Sequence, residues 1–164
     1  RTLDMDRNGT LAALQGAYDH PGSALIEIYQ NCNVFNDKAF LQLTGKEERV
    51  HNRIDLVAGE PVIFDDGTKA VIFKDGGARI VDTDSVDPGD ILIHDPTRPD
   101  PTMAFALSRL SHGPYGPTPL GIFRDVTRPV YDEVMAQQLV DAQSKRGPGD
   151  MAKLIRSLGT WEVK

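Results

Sequence analysis

Three sets of side chains in this sequence have the types that could do chemistry. Asp4, Asp6, Asn8 and Gly9 occupy the first, third, fifth and sixth positions of a calcium-loop pattern, with Leu11 at the apolar eighth. Its twelfth position is Gln15, which has no bidentate carboxylate to complete Ca²⁺ coordination. The same oxygens ahead of a helical run describe an Asx-capped helix start, and that reading is preferred. His51, His94 and His112 are far apart, with no zinc-like spacing among them, and are expected to be surface or loop residues. The third candidate is Cys32, flanked by Asn31, Asn33 and Asn36, whose amides could bond a sulfur or fix a loop. Without a partner, a lone cysteine after a strand is most often an inert core residue.

These residues need elements to place them. The run TLAALQGAYDH reads as an amphipathic helix, capped by Asp4, Asp6 or Asn8 and ended by His20-Pro21-Gly22. SALIEIYQ, with alternating and β-branched character, reads as a mostly buried strand delivering Cys32 at its carboxyl edge. In open α/β sheets ligands bind at that edge. A short helical piece, DKAFLQLTG, and a polar helix or loop, KEERVHNRID, follow.

From Leu56 to Asp95 the character changes. EPVIF, KAVIFK, ARIVDTD and DILIHD are short apolar strands separated by DDGT, KDGG and DPGD turns, predicting an antiparallel module of about four strands. The acidic DTDSVDPGD lies in such a turn and reads as a solvated loop. DPTMAFALSRL then reads as a helix with Asp100 as cap and Pro101 at its first position, SHGPYGPTP as a rigid loop and LGIFRDV as a strand. PVYDEVMAQQLVDAQSKRG is a strong helix with Val130, Val134, Leu139 and Val140 on one stripe, closed by Lys145, Arg146 and Gly147. GDMAKLIRSL is a short final helix.

Composition bounds the function. The 164 residues carry a formal charge of −6 with scattered basic residues, which argues against nucleic-acid binding. No apolar run approaches the roughly 18–20 residues of a membrane span. One cysteine permits no internal disulfide, RTLDMDRNGT has no signal-peptide h-region, and the acidic charge is compatible with the cytoplasmic enzyme expected here. Arg1-Thr2-Leu3 runs straight into a helix-start signal, from which a larger parent chain is expected.

The segment EIYQNCNVFND narrows the choice. Residues 22–40 resemble the β subunits of 2-oxoglutarate:ferredoxin oxidoreductases, in which a strand ends in a cysteine followed shortly by Phe-Asn; the matching positions are Cys32, Phe35 and Asn36. DPTMAFALSRL, TPLGIFRDVTRPVYDE and the RGPGD region extend the likeness to a longer bacterial form of that subunit. The resemblance implies that Cys32 is one of four ligands of a [4Fe–4S] cluster. It also implies an enzyme that uses thiamine diphosphate with Mg²⁺ to decarboxylate a 2-oxoacid oxidatively to acyl-CoA, with ferredoxin as acceptor. Its expected partners are an α subunit, the N-terminal part of the β subunit and ferredoxin, in a heterotetramer.

Two departures set the expectation for this chain. It lacks the family's other cluster cysteines, including a C-x-x-C pair, and its Gly-Asp-Gly thiamine diphosphate motif. Catalytic residues are therefore expected upstream, and this chain alone is expected to be inactive. The fold class expected is α/β: residues 1–55 as the C-terminal part of a thiamine diphosphate-binding-type parallel-sheet domain, 56–95 as an inserted antiparallel β module, and 96–164 as a C-terminal α/β and helical region. The rival readings are a non-catalytic module that binds a partner subunit, with Cys32 structural, and the same chemistry on pyruvate or a branched-chain 2-oxoacid.

Overall fold

The computed structural model describes residues 1–110, 116–161 and 163, and the chain divides into two compact units, Arg1–Thr127 and Arg128–Lys164. The first unit is mixed α/β, with parallel and antiparallel strand pairs. It opens with β1 (Thr2–Leu3), then α1 (Arg7–Asp19), then β2 (Ile28–Tyr29), which pairs parallel to β1. Asp6 is the helix cap: its Oδ1 accepts the Gly9 N–H at 2.9 Å, one of the first-turn donors that a helix start leaves without a partner. Thr10 Oγ1 donates to the Leu3 carbonyl at 3.0 Å and ties the helix back to the strand. The Asp6 and Asp4 carboxylates of the calcium-like pattern thus serve the cap and the loop described below.

The strand predicted over 23–30 is shorter and more exposed than expected. Only Ile28 and Tyr29 are paired, and Leu25 is 95% exposed. Its apolar alternation is real, but among the described residues no strand pairs with residues 23–26. Helix α1 likewise buries no residue, and Leu11 and Leu14 on it are exposed.

After α2 (Leu41–Thr44) and α3 (Glu48–Asn52), β3 (Arg53–Leu56) pairs parallel to the distant β7 (Thr118–Gly121). Between them in sequence lies the antiparallel sheet of β4 (Ile63–Phe64), β5 (Lys69–Lys74) and β6 (Gly77–Asp82). The β5–β6 hairpin turns on Asp75 (φ 53°) and Gly76 (φ 75°), the two left-handed residues of a type I′ loop. Asp65, Asp66 and Gly67 do the same between β4 and β5, so DDGT is a hairpin turn. The fourth expected strand, DILIHD, joins only through isolated bridges, Ile91 to Ile72 and Ile93 to Pro61.

One core binds these pieces. Ile54 and Leu56 of β3, Val62, Phe64 and Val71 of the module, Leu92, and Leu107 of α4 (Thr102–Ser108) form a single buried cluster. The α4 start is close to expectation: the Asp100 carboxylate accepts the Thr102 N–H at 3.2 Å and its hydroxyl at 2.8 Å. A second cluster, Leu3, Leu43 and Leu120, joins β1, α2 and β7.

The second unit holds α5 (Tyr131–Arg146) and α6 (Met151–Ile155), and no residue of either helix is buried. The stripe of Val134, Leu139 and Val140 stands exposed, as do Leu158 and Trp161. Asp150 caps α6 through the Lys153 N–H at 3.0 Å. Among the described residues, no helix is long and apolar enough to cross a membrane.

Candidate functional site

Cys32 sits in the loop that leaves β2, and the loop is built around Asn31. The Asn31 backbone N–H donates to Asp4 Oδ2 at 3.1 Å, anchoring the loop to the end of β1. The Asn31 side-chain amide donates to Asn33 Oδ1 at 2.8 Å and Asp37 Oδ1 at 3.0 Å, while its oxygen accepts the Lys38 N–H at 2.8 Å. Lys38 closes the ring in the left-handed region, φ 61°. Across it, the Asn36 N–H donates to the Cys32 carbonyl at 2.9 Å, the two residues forming an isolated antiparallel bridge.

This clasp holds Cys32 among successive backbone N–H groups at the end of β2. The Cys32 pKa lies below the ordinary thiol value: the backbone N–H groups of Phe35 foremost and then Val34 lower it, burial opposes them, and the Asn36 N–H adds less. Cys32 as a residue is half-buried, and its neighbours Val34 (81%) and Phe35 (91%) are the most exposed apolar side chains of the loop. A thiolate stabilised by peptide N–H groups, at the tip of a pinned loop under apolar side chains, fits the donor chemistry of one iron–sulfur cluster ligand. Among the described residues, no group of three or more His, Cys, Asp or Glu is placed to hold a metal ion.

The asparagines do only half of what their types suggested. Asn31 and Asn33 fix the loop with their side chains, and Asn36 acts through its backbone. Asp4, expected as a cap oxygen, anchors the loop instead. Asp37 went unread as part of the site, although its place after Asn-Cys-Asn-Val-Phe-Asn put a further acceptor within reach of a turn.

The histidines go elsewhere. His51 pairs with Asp65 at the β4–β5 turn. His94 is not a surface residue: it is 1% exposed, and its Nε2 donates to the Ile122 carbonyl at 2.8 Å. The alternation of DILIHD carries it inward with Leu92. His112 lies outside the described residues. His20, unread as a pairing residue, meets Asp125 at 2.6 Å.

No family model matches the chain, and no solved structure matches it. It is 41% identical over 168 aligned positions, covering 99% of its own length, to the 2-oxoglutarate oxidoreductase subunit KorB of Mycobacterium tuberculosis. The chain spans 44% of that relative's length. The resemblance drawn from the segment around Cys32 and this likeness point to the same kind of subunit.

Proposed function

We propose, from this kinship with a 2-oxoglutarate oxidoreductase subunit, that the chain is the C-terminal portion of the β subunit of a 2-oxoglutarate:ferredoxin oxidoreductase. In this reading Cys32 supplies one thiolate to a [4Fe–4S] cluster whose other ligands come from elsewhere in the subunit. The observation that carries it is Cys32 at the carboxyl end of β2, in a loop that the Asn31 side chain pins to Asn33, Asp37 and Lys38. When bound, thiamine diphosphate with Mg²⁺ and the cluster supply oxidative decarboxylation and one-electron transfer, with CoA taking the acyl group and ferredoxin the electrons.

Each residue of the loop has a part in that reading. Cys32 presents sulfur in its anionic form, and the three N–H groups disperse its charge, which favours the reduced cluster. Asn31, Asp37 and Asp4 keep those N–H groups aimed. Val34 and Phe35 exclude water once a facing surface covers them. The parallel β1–α1–β2 arrangement supports placing residues 1–55 in a thiamine diphosphate-binding-type domain, with 56–95 inserted and 96–164 as the C-terminal region. The exposed apolar residues of α5 and α6 support docking on an α subunit or the N-terminal part of the β subunit. The catalytic residues belong to that other part, so this chain alone is inactive, and the whole enzyme is cytoplasmic.

Replacing Cys32 by Ala in the intact enzyme tests the ligand role. The cluster's electron paramagnetic resonance signal should disappear, along with ferredoxin reduction by 2-oxoglutarate; an unchanged signal sinks the reading.

A further inference from the structure

Arg1 lies between two rails that continue past it. On one side Thr2 pairs with Ile28 in parallel register, and its N–H donates to the Glu27 carbonyl at 2.9 Å. On the other, Arg1 and Gly121 exchange both backbone bonds, each at 2.9 Å, as an antiparallel hydrogen-bonded pair does. The rails run on as residues 23–26 and 122–126, and between them is a cavity of about 320 Å³. Its floor is the small face of α1, namely Ala13, Gly16 and Ala17.

The polar groups along these rails are those of strands. Among the described residues, neither the Glu27 nor the Phe123 amide donates to a backbone carbonyl. Carried one residue back from Arg1, the parallel register sets a carbonyl against the Glu27 N–H. Carried two residues back, the antiparallel register sets another against the Phe123 N–H. A small-molecule pocket gathers a few convergent side-chain groups. Here the unmet groups are instead peptide groups at strand spacing, on both sides of one gap.

We propose that this slot seats a further β-strand, the stretch of the longer subunit that runs into Arg1, paired parallel to residues 24–27 and antiparallel to 122–124. The inference rests on the reading above only in taking the intact subunit to be longer than this chain, which spans 44% of its relative. Side-chain alternation assigns its faces. Thr2 meets Thr10 of α1 at 3.1 Å, and the Arg1 guanidinium lies over the Tyr29 and Phe123 rings. The residue before Arg1 therefore faces the floor of α1, and the one before that shares the aromatic side with Arg1. The inserted strand covers Leu25 and joins the β1–β2 pair to the segment after β7 in one continuous sheet.

Hydrogen exchange on the intact subunit tests this, and it reads no chemistry, so its outcome is independent of the cluster assignment. The Glu27 and Phe123 amides should exchange at least about a hundredfold slower than in an unstructured peptide. Exchange near the unstructured rate overturns the proposal, as does protection that appears only when a partner subunit or a small molecule is added. A second arm uses Ala13→Trp, which fills the floor. It should lower the Tm of the intact subunit by several degrees, whereas Leu11→Trp, on the exposed face of α1, leaves it unchanged. Equal Tm values for the two variants also overturn the proposal.

Discussion

The Lys38 backbone N–H donates to Asn31 Oδ1 at 2.8 Å, so one side chain closes the loop that presents Cys32. Because the Asn31 side chain makes two further bonds to Asn33 and Asp37, removing it releases the ring at three points. Asn31→Ala should cost roughly 1–2 kcal/mol in urea unfolding, since exposed hydrogen bonds each contribute modestly. Asn31→Asp keeps the acceptor but loses both donors and sets a second carboxylate beside Asp37, so it should be no better.

The thiol predicts a reactivity profile. With its pKa held down by the Phe35, Val34 and Asn36 N–H groups, Cys32 is a thiolate at a lower pH than an ordinary cysteine. Its alkylation by iodoacetamide should reach half-maximal rate below the usual thiol midpoint. Phe35→Pro deletes the leading N–H donor, and the midpoint should move upward in the same assay.

Asp6 links acid stability to the helix start. Burial opposes ionisation of this carboxyl, but the Gly9 N–H and the Arg53 guanidinium outweigh it and leave its pKa below the ordinary value. A carboxyl depressed in the folded state stabilises above its unfolded pKa of about 4 and loses that contribution as pH falls through the folded value. Melting temperature should therefore drop on acidification below about pH 4, and Asp6→Asn should flatten that limb. At neutral pH, Asp6→Ala should cost about 1–2 kcal/mol for the lost cap.

Gly121 predicts a backbone limit. Its φ is 122°, and a Cβ placed there would meet the Leu56 carbonyl oxygen at 2.8 Å, across the β3–β7 pair. Gly121→Ala should destabilise by more than about 1 kcal/mol, because both the conformation and the contact disfavour a side chain. Chemical denaturation of the variant beside Gly116→Ala, in the preceding loop, would measure it.

What the sequence made legible was local. DDGT and KDGG could be read as hairpins because Gly67 and Gly76 supply the left-handed backbone that such turns demand. The start of α4 was legible to within one residue: Asp100, read as its cap, accepts the Thr102 N–H and hydroxyl, while Pro101 rather than Asp100 holds the cap position. β3 was not: RIDL is only four residues long, follows directly on a polar helix, and finds its partner in a strand remote in sequence. Its partner, predicted over LGIFRDV, lies earlier, at Thr118–Gly121. Cys32 was legible as a candidate by its place after a strand, yet the groups that lower its pKa are peptide N–H groups, which residue identity does not reveal. Nor could alternation alone show that residues 23–26 lack a paired strand among the described residues, because pairing depends on what else is present.

The parallel pairing of β3 with β7 also sets an order of events. Closing it brings together Arg53 and Thr118 with the whole antiparallel module and α4 in between. Loop-closure entropy opposes such a contact until the intervening chain has compacted. The β5–β6 hairpin, joined by two residues, meets no such barrier and can form early. Packing Val71 and Leu92 against Ile54 then shortens the effective loop. Damage to the hairpin should accordingly slow refolding, whereas damage at Gly121 should mainly hasten unfolding.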